Sequence, residues 1–447
     1  METTNSQKEK KMTRIEEREA RTKWFLHDRF GMFIHWGLYC IPGRGEWVQS
    51  DEQITQSEYE TYAREFDPVR FDPEQWALLA KRAGMKYAVL TTKHHEGFCL
   101  FDSACTDYKS TNSPCKRDLV KEFTEAFRAQ GIKVGFYYSL LDWHHPDYPA
   151  YADLYHPDRN HEEYKGKHHR FDRYLEYLYR QVEELMTNYG KIDLLWFDFS
   201  YEGHTGEDWN GVELLRMVRG LQPDIIINGR LEANGENYGS VMTDEPTVFS
   251  GDFACPEMII PPDGLKTPSG RPIPWEACFT LNNNWGYAPN DLHYKSAGQI
   301  IRKLVECTSK NGNMIVNVSP DAMGEIPARQ QEILEEVGRW MRKNAKSIYG
   351  CGMSGLEKPE WGRYTRNGSK IYAHIMEESI GPIALPGLEG RIKKARRLSD
   401  GFEMQLMTPW VAKEFPGYAF MNYGTPECFS FSVEESPDTV IELELCE

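Results

Sequence analysis

The segment at residues 191–200, KIDLLWFDFS, places a carboxylate where catalysis can use it. It is typical of a buried strand, in which successive side chains point to opposite faces. Leu194, Trp196 and Asp198 therefore share one face, and Asp198 is the last of the three. A single acid at a strand end can also do no more than cap the following helix. Residues at the other predicted strand ends favour a catalytic role for Asp198.

Several other predicted strands also end on residues that can bind or react. Each has an ordinary structural explanation when taken alone, such as a packed Trp or an ion-paired Arg. A fold that brings the strand ends together would place all of them around one opening. The candidates are His35, Glu46, Trp47, His94, His95, Tyr137 or Tyr138, Trp196, Asp198, Arg230, Asp252, Glu257, Glu276 and Trp285.

A glycosidic bond is the kind of substrate that this set suits. The bond is neutral and its leaving alkoxide is poor. Its cleavage therefore needs one acid to protonate the oxygen and one carboxylate to meet an oxocarbenium-like centre. His, Glu and Arg side chains can hold sugar hydroxyls, while Trp and Tyr can cover an apolar sugar face. A positive Arg near Asp198 would also favour the ionised carboxylate at neutral pH.

The elements that must position these residues alternate between strand and helix. Such alternation implies parallel βα units, and about eight strands fit a (β/α)8 barrel of the TIM type better than a doubly wound sheet. No G-x-G-x-x-G fingerprint follows the first strand. Predicted strands cover residues 31–37, 87–92, 134–138, 191–200, 225–228 and 313–318, with weaker candidates at 241–253 and 278–281. Predicted helices cover residues 73–84, 118–131, 169–189, 209–221, 293–308 and 330–345.

The pattern changes after Gly350, where apolar residues alternate with polar ones. Strands are predicted at 371–375, 428–433 and 440–445, and Asn367-Gly368 is a hairpin signal. The expected fold class is therefore α/β, with an antiparallel β-sandwich following the barrel. The expected division is a charged N-terminal tail at 1–20, a catalytic barrel at 21–348 and the sandwich at 349–447. Long inserts at 43–67, 143–168 and 256–274 would lie over the barrel mouth.

Composition excludes several classes of partner. The 52 basic and 68 acidic residues give a net charge of -16, which argues against nucleic acid and anionic membranes. None of the ten cysteines forms a C-x-x-C pair, and no run of 18 apolar residues occurs. The charged first residues lack the apolar core of a signal peptide, so we expect a cytoplasmic location with mostly free thiols. The sequence carries no indication of oligomeric state.

Short motifs across residues 20–350 resemble the α-L-fucosidases of glycoside hydrolase family 29. They are His-Trp-Gly at 35–37, Glu-Trp at 46–47, KHHEGF at 93–98, YYSLLDW at 137–143, Trp-Phe-Asp at 196–198, WEAC at 275–278, NNWGY at 283–287 and NMIVNVSP at 313–320. The resemblance implies a retaining double displacement on a fucosylated oligosaccharide, without a metal or other cofactor. It implies that Asp198 is the nucleophile. The remaining matches imply a fucose pocket of His35, Glu46, Trp47, His94, His95, Tyr137, Trp196, Arg230 and Trp285.

The acid/base residue is a choice among three carboxyl groups. Glu257, in the run GDFACPE, resembles the acid/base motif of the subgroup that acts on α-1,3/1,4-fucosides. Glu276 is the rival, otherwise assigned to substrate binding, and Asp252 is the third candidate. Tyr137 and Tyr138 are also alternatives, because only one of two adjacent strand residues can face inward.

Two other functions compete with hydrolysis by paired carboxylates. A metal-dependent hydrolase would draw nitrogen ligands from the pairs at 94–95, 144–145 and 168–169, with Asp198 as an oxygen ligand. Adjacent histidines in a strand face opposite sides, and no H-x-H or H-E-x-x-H spacing occurs. An inactive fucose-binding protein would keep the pocket and lose an acid, yet Asp198, Glu257 and Glu276 are all present.

Overall fold

The computed structural model describes residues 12–201, 204–232, 238–377, 379–422, 430–431 and 437–446. Residues 1–11 of the predicted tail lie outside the described residues, as does most of the strand predicted at 428–433. Helix α1 (Arg14–Asp28) runs across the predicted boundary at residue 20. Thr13 and Glu16 form a capping box that starts this helix, which explains why the charged sequence is helical here.

The sequence predictions of the barrel helices are confirmed to within a few residues. Helix α4 shows the reason, because Asp72 caps its first turn, Pro73 fixes its first residue and Gly84 ends it at φ +86°. The helices within the described ranges are α1 (Arg14–Asp28), α2 (Val48–Asp51), α3 (Gln56–Glu65), α4 (Pro73–Ala83), α5 (Leu119–Ala129), α6 (Phe171–Asn188), α7 (Gly211–Leu221), α8 (Ala297–Ser309) and α9 (Ala328–Asn344). None of these helices is both long and apolar enough to cross a membrane.

Seven parallel strands form the barrel sheet. They are β1 (Phe30–Ile34), β2 (Tyr87–Lys93), β3 (Lys133–Ser139), β4 (Leu194–Asp198), β5 (Ile226–Ile227), β6 (Glu276–Thr280) and β7 (Asn313–Val318). Their order is β5-β4-β3-β2-β1-β7-β6, so β5 and β6 are the two edges of the sheet. The strands are almost wholly buried, as expected of a parallel sheet that helices cover on the outside. The architecture is the predicted (β/α)8 barrel.

A short stretch at residues 252–257, the closing segment, joins the two edges of the sheet. Asn228, just after β5, forms a parallel bridge with Phe253, and Ala254 forms one with Trp275, just before β6. The Ala254 amide donates to the Pro274 carbonyl at 3.0 Å, and the Glu276 amide donates to the Ala254 carbonyl at 2.9 Å. The closing segment therefore takes the place of an eighth strand.

The weak strand predicted over 241–253 is wrong as a regular element. Its start belongs to a short 3-10 helix, Gly239–Met242, and only Phe253 at its end pairs with the sheet. The run contains Pro246, which cannot donate to a strand ladder. It also contains Gly251, where a Cβ would lie 2.4 Å from the Asn228 backbone. At Gly251 the backbone consequently lies so close to the residues after β5 that no side chain fits between them.

The C-terminal part is antiparallel, as predicted. Its strands are β8 (Gly352–Met353), β9 (Gly362–Asn367), β10 (Lys370–Ile375), β11 (Ser379–Ile380), β12 (Ile383–Pro386), β13 (Ile392–Arg397), β14 (Gln405–Met407), β15 (Tyr418–Asn422), β16 (Ser430–Phe431) and β17 (Thr439–Leu445). Asn367-Gly368 does turn β9 into β10, with Lys370 opposite Asn367. Apolar residues of the five-stranded and three-stranded sheets, including Ile371 and Ile383, share one core. This arrangement is a β-sandwich.

Asp252 stabilises the point where the barrel closes. Its side chain is 1% exposed, and Oδ2 accepts hydrogen bonds from the Ile227 amide and from Arg219, both at 2.9 Å. Oδ1 accepts a hydrogen bond from Arg21 of α1 at 2.8 Å. One buried carboxylate therefore links helices α1 and α7 to β5.

We expect Asp252→Ala to lower the free energy of unfolding by about 3 kcal/mol, because it leaves two arginines and a buried amide without their acceptor. Urea denaturation at neutral pH measures the change. Asp263→Ala is the control, since Asp263 is exposed on a nearby loop and its removal should change stability by less than about 0.5 kcal/mol. Equal stabilities of the two variants would contradict the role given to Asp252.

Candidate active site

A cavity of about 400 Å³ opens at the carboxyl ends of the barrel strands. All of the candidates line this cavity except Tyr138, Asp252 and Glu276. The lining comprises Phe33, His35, Glu46, Trp47, His94, His95, Tyr137, Trp196, Asp198, Phe199, Arg230, Glu257, Cys278 and Trp285.

Asp198 is held by two donors at the end of β4. Arg230 Nη1 donates to Oδ1 at 2.8 Å, and the Tyr137 hydroxyl donates to Oδ2 at 2.8 Å. Tyr137 lies opposite Trp196 in the β3–β4 register and stacks on it with ring centroids 5.7 Å apart. The carboxylate therefore has a fixed orientation toward the cavity and a positive charge beside it.

Arg230 also binds a second carboxylate, that of Glu257. Its Nη2 donates to Glu257 Oε2 at 2.8 Å, so that one guanidinium contacts both acids. The Arg230 guanidinium lies 4.6 Å from the centre of the Trp196 ring and is 13% exposed. Glu257 belongs to the closing segment and is 43% exposed, whereas Asp198 is 13% exposed. The two acids face one cavity from different depths.

Glu276 is placed elsewhere, inside the barrel. It is fully buried, and the Tyr87 hydroxyl donates to its Oε2. Burial raises the pKa of Glu276 to about 8, although the hydrogen bond from Tyr87 opposes that rise. A carboxyl group that stays protonated at neutral pH is a hydrogen-bonding member of the core. Glu276 therefore lies in the core, outside the cavity.

Asp252, the third carboxyl candidate, also lies outside the cavity. Both of its oxygens are engaged by Arg21, Arg219 and the Ile227 amide. Of the three acids in this part of the sequence, Glu257 alone lines the cavity with Asp198.

The structure places Tyr137 inward and Tyr138 outward. Tyr138 packs in the outer core, and its hydroxyl donates to Gln181 Oε1 on α6 at 2.9 Å. Alternation along β3 accounts for the difference, since adjacent strand residues face opposite sides.

Two histidines present acceptor nitrogens to the cavity. Asn317 donates its amide to the Trp285 carbonyl at 2.7 Å, so its Oδ1 faces His35 Nδ1 at 2.6 Å and accepts a proton from it. Ser139 donates to the Leu141 carbonyl, and its oxygen therefore accepts from His95 Nδ1 at 2.7 Å. In both rings the hydrogen on Nδ1 leaves Nε2 with a lone pair.

Burial lowers the pKa of His35 and of His95 well below the usual value, and the neighbouring His94 lowers both further. Both rings are consequently neutral at neutral pH. His94 stacks on Tyr137 at an interplanar angle of 14°, with ring centroids 5.4 Å apart. Glu46 completes the polar wall, where its Oε2 accepts the Gly286 amide at 2.8 Å. This side of the cavity can thus accept hydrogen bonds from hydroxyl groups.

Three lining residues escaped the sequence interpretation. Phe33 and Cys278 share their strand faces with His35 and Glu276, two residues away, so alternation could have found them. Phe199 gives no such signal, because it follows Asp198 with φ at +77°, a conformation that bulky residues rarely adopt. That turn brings the Phe199 ring to 5.3 Å from Trp47, where both form the apolar wall.

The three histidine pairs considered as metal ligands do not meet at one site. The expectation that adjacent histidines face opposite sides is wrong for His94 and His95, which follow the end of β2 and both line the cavity. His144 Nε2 lies 3.0 Å from Glu60 Oε1, and the two rings of 94–95 are held by separate partners. Within the described ranges, no three His, Cys, Asp or Glu side chains are grouped so as to hold a metal ion. Beside the histidines, the described residues give this cavity three carboxyl groups, those of Glu46, Asp198 and Glu257, and one guanidinium, that of Arg230.

Known proteins of one family are similar to this chain in both sequence and fold. The family profile described as "Alpha-L-fucosidase" matches residues 1–346. Tissue alpha-L-fucosidase from Homo sapiens is 31% identical over 381 residues, which cover 78% of this chain and 74% of that protein. The structure of alpha-L-fucosidase isoenzyme 1 from Paenibacillus thiaminolyticus is 57% identical, with a TM-score of 0.92, and the match covers 96% of this chain and 100% of that one.

A third similar structure is an alpha-L-fucosidase GH29 from Bacteroides thetaiotaomicron, described as a trapped covalent intermediate in complex with 2-fluoro-fucosyl fluoride. It is 28% identical, has a TM-score of 0.79, and covers 99% of this chain and 98% of its own. Because the family profile spans most of the sequence and the fold agrees over nearly all of it, the chain belongs to the α-L-fucosidase family of glycoside hydrolases.

Proposed function

We propose that this enzyme is a retaining exo-α-L-fucosidase that removes terminal α-L-fucosyl residues from oligosaccharides or glycoconjugates. The contact of Arg230 with both Asp198 and Glu257 carries the proposal. It puts a deep carboxylate and a shallow one on the same cavity, as a double displacement requires. The relative trapped as a covalent intermediate supports the same mechanism.

In the first step, Asp198 attacks the anomeric carbon while the bond to the leaving oxygen breaks. Protonated Glu257 gives its proton to that oxygen, and a fucosyl ester of Asp198 forms. In the second step, ionised Glu257 takes a proton from water, the hydroxyl oxygen bonds to the anomeric carbon, and Asp198 leaves as a carboxylate. The greater exposure of Glu257 suits a group that must meet both the leaving sugar and the incoming water.

The remaining cavity residues bind the sugar in this proposal. His35 and His95 accept hydroxyl hydrogens through Nε2, and His94 and Glu46 contact further hydroxyls. Trp47, Trp196 and Trp285 cover its apolar parts. Glu276 is proposed as a positioning residue, since it lies in the core beside Tyr87 and away from the cavity.

The α-1,3/1,4 preference is part of the proposal. Glu257 ends the closing segment, where the insert at 256–274 begins, and the Pro-Glu motif there resembles the subgroup with that preference. An acid carried at an exposed mouth leaves room for a branched acceptor sugar. The substrate partner is then a branched fucosylated oligosaccharide.

We also propose that residues 21–348 carry catalysis, because all cavity-lining residues fall between Phe33 and Trp285. The sandwich at 349–447 has a supporting role, and the described part of the N-terminal tail, residues 12–20, joins the barrel through α1. A cytoplasmic location is supported by the free thiols of the nine cysteines within the described ranges.

Asp198→Ala is expected to reduce kcat on an aryl α-L-fucoside at least about a thousandfold, or about 4 kcal/mol of barrier, because no nucleophile remains. Initial rates measure the loss. Asp224→Ala, a change at an exposed acid before β5, should keep the wild-type rate. Azide added to Asp198→Ala should restore turnover as the inverted fucosyl azide; full activity without azide would refute the nucleophile assignment.

Glu257→Gln and Glu276→Gln separate the two remaining acids. Glu257→Gln should lose at least about a hundredfold in kcat/KM on a natural oligosaccharide. It should lose less on an aryl fucoside, whose good leaving group needs little protonation. Glu276→Gln keeps the shape of a protonated acid, so it should affect both substrates equally and by less than about tenfold. The reverse pattern would make Glu276 the acid.

A linkage panel tests the proposed specificity. With equal concentrations of α-1,2-, α-1,3- and α-1,4-fucosyl oligosaccharides, the enzyme should release fucose fastest from the branched α-1,3 and α-1,4 substrates. We expect a difference in kcat/KM of at least about tenfold, or about 1.4 kcal/mol. Faster cleavage of the α-1,2 linkage would overturn the specificity and leave the fucosidase assignment intact.

A further inference from the structure

A second cavity, which we term the arginine pocket, lies between α1, α7 and the loop at 246–251. Its volume is about 710 Å³. It shares no lining residue with the active-site cavity. Its lining comprises Arg14, Glu17, Arg18, Arg21, Val212, Leu215, Arg216, Arg219, Pro246, Thr247, Val248, Ser250, Gly251 and Asp252.

The arginine pocket lies near the amino ends of the barrel strands. Arg219 donates to the Ile225 carbonyl at 3.3 Å, and the next residue, Ile226, pairs with Leu194 at the start of β4. Asp198 ends the same strand, four residues further on, which is about 13 Å at the rise of a strand. A ligand in the arginine pocket is therefore separate from a sugar at Asp198.

The lining carries an excess of positive charge in an acidic protein. Five arginines face two acids, Glu17 and Asp252, an excess of three charges, whereas the whole chain has a net charge of -16. Asp252 engages Arg21 and Arg219, and exposed Glu213 engages Arg216. The acids thus offset only part of the charge.

Arg18 is the deepest cation and is incompletely satisfied. It is 3% exposed, and its Nη1 donates to the Val241 carbonyl at 3.2 Å. Its Nε has no hydrogen-bond partner among the described residues. Burial lowers the pKa of Arg18, while Asp252 raises it. An unmatched buried donor on a guanidinium costs free energy unless an acceptor reaches it.

We propose that the arginine pocket binds a phosphate group, either free phosphate or that of a small phosphorylated metabolite. Guanidinium groups suit phosphate oxygens because their planar N–H donors pair with two oxygens at once. Arg18 lies at the bottom, Arg21 and Arg219 are 18% and 25% exposed, and Arg216 is 67% exposed at the rim. A small ligand can thus be held at the bottom while its remainder contacts the rim.

A nucleic acid is a poorer match for the arginine pocket than a small phosphate compound. The positive residues line one concavity, whereas nucleic acid needs a basic stripe along many phosphates. The strongly acidic remainder of the chain would repel such a polyanion.

Thermal unfolding of the whole enzyme tests the proposal. Sodium phosphate should raise Tm in a saturable manner, while sodium chloride at the same ionic strength should not. Glucose 6-phosphate distinguishes the source of the phosphate. Binding at least tenfold tighter than inorganic phosphate would identify a phosphorylated metabolite, and equal or weaker binding would identify free phosphate. No shift beyond that of chloride with either probe would overturn the proposal.

Matched rim variants locate the effect. Arg216→Glu on α7 should weaken phosphate binding at least tenfold. Arg180→Glu on α6, an arginine that is 66% exposed and also paired within its helix, should leave binding unchanged. Equal effects of the two variants would refute the location. Arg18→Met should abolish the saturable shift in Tm. Circular dichroism and fucosidase activity show whether this variant folds. If it does not fold, the comparison of Arg216→Glu with Arg180→Glu still tests the location of phosphate binding.

Discussion

One guanidinium between two carboxylates is the interaction on which the proposed mechanism depends. Without Arg230, Asp198 and Glu257 would face each other across a partly desolvated cavity, where like charges repel strongly. With Arg230 at 2.8 Å from each, both acids can lie close to the same anomeric carbon. The Tyr137 hydroxyl then fixes the rotation of Asp198. The distance between the two acids thus depends on Arg230, which lies outside both the strand that carries Asp198 and the insert that carries Glu257.

The closure of the barrel positions Arg230 and the second acid together. Arg230 follows β5, and Glu257 ends the closing segment that pairs with both β5 and β6. Asp252 fixes the segment from below through Arg21 and Arg219. The contacts that close the sheet therefore also bring the two acids together. A change that loosens these contacts should also separate the acids.

Much of this could be predicted from the sequence, because alternation and capping are local. Helices α4 to α9, most of the seven strands and the inward face of β4 follow from periodicity and turn residues. The choice between Glu257 and Glu276 could not be made from acidity alone. It depends on burial, since Glu276 lies on an inward strand face while Glu257 lies in an irregular segment with no periodic signal. Phe199 escaped for a related reason, as its position follows from a backbone turn at positive φ.

The neutral histidines complete the electrostatic argument. A glycosyl transition state develops positive charge at the anomeric centre, so cations near it raise the barrier. His35 and His95 lie in the same cavity, yet burial keeps their pKa values below the usual range and their Nδ1 hydrogens are committed to Asn317 and Ser139. They can bind hydroxyl groups without adding charge. Arg230 is positive, but its charge is matched by the two carboxylates that it holds. In the proposed mechanism, the histidines that bind the sugar therefore do not oppose the charge that the reaction creates.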